Sequence, residues 1–306
     1  VKSLVTGGAG FIGSHLVDRL VMEGHEVLVL DDLSHGRRKQ VNKAARFAKV
    51  DIRSPKVDAQ IRKFRPQVVF HMAAQMEVRK SVENPMLDAD INILGLVNVL
   101  KAAVEGGCPR VLFASSGGAV YGEQEAFPAT EAHPTQPLSP YGVTKRAGEL
   151  YCGYFATLGL KCASMRLANV YGPRQDPHGE AGVVAIFSEM MLAGKTPTIN
   201  GTGKQTRDYV YVEDVVEAFM AALANGLEGP YNVGTGVETD VNALAGQIAK
   251  QAGFTGAPIH GPAKEGEQMR SMLSAARLTQ ATDWEARTLL EEGIARTVDW
   301  FRQTRR

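Results

Sequence analysis

Cysteine is scarce in this chain. Its 306 residues hold three, Cys108, Cys152 and Cys162, with no Cys-x-x-Cys spacing among them. That pattern gives no disulfide framework and no zinc knuckle. It leaves three small apolar side chains for the core of a protein kept reduced, so we expect a cytoplasmic location. An excess of one charge is also lacking. Lys and Arg number 34 against 33 Asp and Glu, a net charge of +1, which gives no electrostatic reason to expect a nucleic-acid or membrane partner. No apolar run approaches the roughly 20 residues that span a bilayer. No signal peptide is expected, because a strand-forming run begins at residue 2. Long-period repeats and low-complexity segments are missing too. His178 lies in a polar loop without a companion at metal-ligand spacing, so no metal is expected.

The length exceeds the usual single core, which implies one large domain with an added lobe, or two domains. Residues 2–6 read as a short buried strand, followed by Gly7-Gly8-Ala9-Gly10-Phe11-Ile12-Gly13 and a helical pattern of Leu16, Val17, Leu20 and Val21. Strand, glycine-rich turn and helix in this order suit a dinucleotide. Gly7 permits the turn, Gly10 lets the backbone approach a pyrophosphate, and Gly13 lets helix and strand pack closely. A second strand, 26–30, ends in Asp31 and Asp32. Asp31 should accept hydrogen bonds from a ribose and repel the extra phosphate of NADP. Further strands are expected at 46–50, 67–72, 110–114 and 160–167, separated by helix-length segments that include a long helix at 85–105. Such alternation predicts an α/β fold with a Rossmann-type doubly wound parallel sheet and a smaller C-terminal lobe. Ligands in such sheets lie outside the carboxyl ends of the strands. Asp51, Ile52, Ala73, Ala74 and Gln75 fall there and should line the cofactor together with Phe11, Ile12 and Asn92.

Ser139-Pro140 suits a capped helix start, and Tyr141 and Lys145, four residues apart, then share one helix face. A phenol beside an ammonium should have a lowered pKa and could serve as a general base.

The glycine-rich turn, Ser115-Ser116 ahead of Val120-Tyr121-Gly122, Tyr141-x-x-x-Lys145 and Arg207-Asp208-Tyr209-Val210-Tyr211-Val212 resemble the extended short-chain dehydrogenase/reductase family. Within it the chain looks most like bacterial UDP-glucose 4-epimerases, and the likeness covers nearly the whole chain. The resemblance implies NAD as cofactor and a UDP-sugar as substrate. It implies that Tyr141 takes the proton of the sugar 4-hydroxyl and that Lys145 holds the nicotinamide ribose. A serine, Ser116 or with a shifted register Ser115, would bond the reacting oxygen. It further implies Asn169 and Arg207 at the diphosphate, Ile199 and Asn200 near the uracil, and Glu267 at the uridine ribose. Lys264 would stand where many relatives carry arginine, with Arg270 compensating. Ser271 would leave room for an N-acetylated sugar. UDP-N-acetylglucosamine and UDP-glucuronate remain alternative substrates. A 4,6-dehydratase is disfavoured because Gly117-Gly118 stand where relatives carry an acidic pair. A non-catalytic NAD-sensing or RNA-binding module remains the reading of another class. The expected division is a cofactor domain over 1–168, rejoined by 207–235, and a substrate lobe from 169–206 and 236–306. Helices 85–105 and 139–159 would form a homodimer contact.

Overall fold

The computed structural model describes residues 1–178, 182–263 and 268–304. Six strands follow one another with helices between them: Lys2–Thr6 (β1), Glu26–Asp31 (β2), Arg46–Lys49 (β3), Val68–His71 (β4), Arg110–Ser116 (β5) and Lys161–Leu167 (β6). The later strands are Asn169–Tyr171 (β7), Thr198–Asn200 (β8), Thr206–Tyr211 (β9), Gly229–Val233 (β10), Glu238–Asp240 (β11), Ile259–Gly261 (β12) and Arg270–Ser271 (β13). The main sheet runs β10-β6-β5-β4-β1-β2-β3, and every pairing in it is parallel. Its central strands are buried almost throughout, as parallel strands covered on both faces must be.

On one face pack Leu16, Val17 and Leu20 of the first helix with Val215 and Phe219. On the other pack Ile61, Leu96, Leu100 and all three cysteines, which are free and buried as expected for core hydrophobes. A small sheet, β11-β9-β13 with β7 also on β9, and the pair β12-β8 build the second lobe. That lobe has its own core of Tyr171, Phe187, Tyr211, Leu244 and Ile294. Among the described residues no helix is long and apolar enough to cross a membrane.

Two expectations change here. The chain was expected to return to the first domain at 207, but β9 belongs to the small sheet. The return starts with helix Val212–Ala224 and continues into β10. Leu273, Leu278 and Trp284 also pack into the first core, so the lobe does not own all of 236–306. Hydrophobic periodicity marks a segment as amphipathic; it does not say which sheet takes the apolar side. The long helix at 85–105 is likewise three pieces: Pro85–Ala89, a π turn Asp90–Leu94, and Gly95–Glu105. Asn92 in that turn donates to the Gln75 carbonyl at 2.9 Å and accepts from the Gln75 N–H at 2.8 Å.

A buried polar network joins β5, β6, β10 and helix Pro140–Ala156. Glu149 accepts from Arg166 Nε at 2.8 Å and Nη2 at 2.7 Å, from Ser115 at 2.7 Å and from Arg146 at 3.0 Å. Arg166 donates onward to the Tyr121 hydroxyl at 2.8 Å, and Tyr121 to Asn232 at 2.7 Å. Burial alone would raise the Glu149 carboxyl, but the guanidinium beside it, with Ser115 and Arg146, holds it below the ordinary carboxylate range. Its contribution to stability is therefore present above that range and is lost as the pH falls through the depressed value. Arg166→Leu leaves the carboxylate buried without its main partner. It should cost about 3–5 kcal/mol in denaturant unfolding at neutral pH. The difference from the unaltered protein should narrow as the pH is lowered through the carboxylate range.

Candidate active site

A cleft of about 710 Å³ runs along the carboxyl ends of the strands, lined by Gly7, Gly10, Phe11, Ile12, Gly13, Asp31, Asp32, Asp51, Ile52, Ala73, Ala74, Gln75 and Ala114. The main sheet changes direction between β1 and β4, and the cleft lies at that switch point. Gly7 has φ +69°, and a Cβ on Gly13 would fall 2.2 Å from the Gly7 carbonyl oxygen, so neither position admits a side chain. Helix Phe11–Met22 has no side-chain cap at its N-terminus. Its first N–H groups are thus open to an anion in the cleft. Asp31 accepts from the Ala9 N–H at 2.9 Å and the Leu33 N–H at 2.8 Å, which fixes its carboxylate at the cleft wall. Burial raises its pKa against those two bonds. Asp51 is held below the usual carboxylate range by the Arg53 guanidinium. A glycine cradle that rejects a Cβ, an open helix N-terminus and a fixed carboxylate at the second strand end fit a dinucleotide.

The cleft also has a wall that sequence reasoning missed. Arg174, Gln175 and Asp176 line it from the second lobe. Arg174 pairs with Asp18 at 2.6 Å, Arg37 with Asp176 at 3.5 Å, and His15 bonds the Pro173 carbonyl at 2.9 Å. No motif signals these pairs, because each partner comes from a different element.

Asn92, expected at the cofactor, is not among the residues that line the cleft. It is buried, and its amide is taken by Gln75, by Asp88 at 3.0 Å and by Thr144 at 3.2 Å. It fixes the lining loop from behind. The Gln75 side chain is also engaged, donating to Asp88 at 2.9 Å.

Helix Pro140–Ala156 starts as expected, with Ser139 capping Gly142 N–H at 3.2 Å and Pro140 at the first position. The Ser116 hydroxyl faces the Tyr141 phenol and acts to lower its pKa, whereas Ser115 donates to Glu149 at 2.7 Å. Lys145 donates to the Ala114 carbonyl at 2.8 Å and lies 5.6 Å from the centre of the Tyr141 ring. The expectation of a lowered tyrosine pKa is corrected here. Burial pushes Tyr141 up to about 12 despite the Ser116 bond, and burial pulls Lys145 down to about 8. Removal of water outweighs proximity, because the ammonium is directed at a carbonyl and not at the phenol.

On the substrate side, Asn169 is exposed at the start of β7, near Gly118. Arg207 lies on β9 and donates to the Thr206 carbonyl at 2.7 Å, while its neighbour Asp208 turns into the interior to accept from Thr235, Gly236 and Leu273. Asn200 is half-buried on β8, but the Ile199 side chain is packed in the lobe core and presents no surface to a base. Arg270 pairs with Glu238 at 2.7 Å and stacks on Phe127. Ser271 is buried, with its hydroxyl 3.5 Å from the Gln124 amide, so the space it was expected to leave open borders Gln124. Lys264 and Glu267 lie outside the described residues.

A family model for the NAD dependent epimerase/dehydratase family matches residues 3–234. A UDP-glucose 4-epimerase of Mycolicibacterium smegmatis is 47% identical over 309 residues, 99% of each chain. The crystal structure of a UDP-glucose 4-epimerase with UDP-glucose from Thermotoga maritima superposes with a TM-score of 0.98 at 43% identity over 100% of both chains. That of the Thermus thermophilus UDP-glucose 4-epimerase with NAD gives 0.94 at 46% identity over 99% of each. The chain belongs to the NAD dependent epimerase/dehydratase family.

The fixed Asp31 carboxylate sets the cofactor prediction. Denaturing the purified protein should release NAD or NADH and not NADP. Asp31→Ser should raise the affinity for NADP relative to NAD by about tenfold, the equivalent of about 1.4 kcal/mol of removed repulsion. An unchanged ratio in competition binding would show that the choice is made elsewhere in the cleft.

Proposed function

We propose that this member of the family is an NAD-dependent isomerase that inverts carbon 4 of a UDP-hexose, interconverting UDP-glucose and UDP-galactose through a transient 4-keto sugar. The observation that carries the reading is the Ser116–Tyr141–Lys145 group gathered at the end of β5, beside the cleft-lining Ala114. NAD, held by the glycine-rich turn and Asp31, would supply reversible hydride acceptance at carbon 4, with no net oxidation over a cycle. The chain supplies the rest. Tyr141, in the minor fraction where it is ionised, accepts the proton of the 4-hydroxyl and gives it back. Ser116, already bonded with Tyr141, holds the reacting oxygen on the proton's path. Lys145 holds the cofactor ribose and places a positive charge beside the phenol. Asn169 and Arg207 hold the diphosphate, and the guanidinium fork suits it. The short helix Gly117–Val120 after Ser116 carries no acidic side chain, which argues against elimination to a 4,6-dehydrated sugar.

Purified protein given UDP-galactose should form UDP-glucose with no added oxidant. Tyr141→Phe keeps the ring, so fold and NAD should survive while turnover falls about 100- to 10,000-fold. Near-normal turnover in that variant would remove Tyr141 from the base role.

The same reading includes a homodimer. Val143, Leu150, Tyr151, Tyr154 and Leu158 make one exposed apolar stripe along helix Pro140–Ala156 and just beyond it, and Met86 and Leu94 are exposed beside it. Apolar side chains at this spacing need cover, and a second copy presents the same stripe in reverse. Light scattering should give twice the chain mass, and Leu150→Glu with Tyr154→Glu should give the monomer. A monomeric unaltered protein would dismiss the contact.

A further inference from the structure

We propose that Asp88 is the counter-charge of Lys145: a positioning residue that keeps the buried ammonium protonated and ties the cofactor-lining loop to the helix bearing Tyr141. Its kinetic consequence rests on the epimerase reading; the charge pairing itself does not.

Lys145 is 5% exposed. Its described contacts are the Ala114 carbonyl at 2.8 Å and the faces of Phe113 and Tyr141 at 5.0 and 5.6 Å. None carries a formal negative charge. Two carboxylates face the ammonium, Asp88 and Glu149. Glu149 is already answered by Arg166 on two bonds and by Arg146 on a third. Asp88 is different. It is 1% exposed. Its donors are the Gln75 amide at 2.9 Å, the Asn92 amide at 3.0 Å and the Thr144 hydroxyl at 2.9 Å, all of them neutral. Among the described residues the centre thus holds a cation with no anion in contact and an anion with no cation in contact, on helices packed against each other. A buried charge left alone is costly, and each of these is tolerated because the other is near.

The geometry explains why they do not touch. Thr144, next to Lys145 in sequence, donates to Asp88 and so occupies the side of the carboxylate facing the helix. Three neutral donors fix the Asp88 carboxylate in place, while Lys145 reaches the strand end. The other titratable groups facing Lys145 do not replace Asp88. His71 is held neutral by burial, with its pKa near 3, and Tyr141 keeps its proton. Asp88 also receives Gln75 from the loop that lines the cleft, so one carboxylate positions both the loop and the lysine.

The first test compares holoenzymes on UDP-galactose from about pH 6 to about pH 10. In Asp88→Asn the fall of kcat on the alkaline side should move down by about one unit, with KM little changed, because Lys145 gives up its proton earlier. Thr144→Val removes a donor and keeps the charge, so its alkaline fall should stay in place. A folded Asp88→Asn that retains NAD and shows an unmoved alkaline fall overturns the proposal. A wild type without any turnover defeats the epimerase reading, and the second measurement then decides the pairing. In Lys145→Met the carboxylate is left buried among neutral donors without its counter-charge. A buried carboxylate without a counter-charge is costly once ionised, so between about pH 4.5 and about pH 7 the Tm of Lys145→Met should fall relative to wild type. Adding Asp88→Asn should abolish that slope. If the doubly altered chain does not fold, Lys145→Met alone decides. A Tm profile parallel to wild type overturns the proposal.

Discussion

Gly7 and the end of β4 approach so closely that a Cβ on Gly7 would fall 2.6 Å from the Ala73 nitrogen and 2.9 Å from the Met72 carbonyl carbon. The architecture follows from that contact. At the switch point, β1 and β4 are neighbours whose following segments leave for opposite faces of the sheet. A crevice must open above them. The crevice is useful because Gly7 and Gly13 let helix Phe11–Met22 start at its floor with an uncapped N-terminus. A larger residue at either glycine would lift the helix off the strand and close the cleft. The cleft therefore depends on atoms that are missing as much as on those present.

Desolvation is the second governing effect, and it acts on the reacting groups against their intrinsic preferences. Tyr141 is pushed up and Lys145 down by the same loss of water. A hydrogen bond from one neutral serine does not reverse that, and neither does an ammonium directed at a carbonyl oxygen. The Tyr141 phenol therefore keeps its proton near neutral pH.

The sequence made the order of strands and helices readable because parallel βα units need apolar runs at regular intervals, and glycines mark the turn that binds phosphate. The positions of Asp31, Asp51, Ala73 and Ser116 at strand ends followed from that alone. What stayed hidden needs three dimensions. Asn92 looked like a cofactor ligand by resemblance, yet its amide is consumed by Gln75, Asp88 and Thr144, residues 17, 4 and 52 positions away. Ile199 lies on the expected strand, but β alternation gives two faces and does not say which one meets a ligand. The effect of Lys145 on Tyr141 was read from spacing. Helical spacing puts two side chains on one face but does not fix where a four-carbon stem ends. The preference for Ser116 over Ser115 rested on resemblance, because consecutive strand residues point to opposite sides and the sequence does not say which side meets the ligand.

That alternation also explains how one short strand end serves two purposes. Ser116 faces Tyr141, while Ser115 faces Glu149 and, through it, Arg166, Tyr121 and Asn232. The second chain of contacts crosses from β5 to β6 to β10, and β10 arrives only after the chain has built most of the substrate lobe. Asn232 also takes the Glu131 carboxylate on its backbone N–H at 2.7 Å and donates its amide to the Ala129 and Ser274 carbonyls. The returning strand is thus bonded both to the loop that follows the reacting serine and to the segment that follows Ser271. Displacing β10 would strip partners from Tyr121 and Arg166 and leave the Glu149 carboxylate, on the same helix as Tyr141 and Lys145, less well answered. The polar network makes the placement of the reacting helix depend on completion of the lobe. A chain folded only as far as β6 would hold the cofactor turn, Tyr141 and Lys145, but not the support that fixes their distance from the strand end.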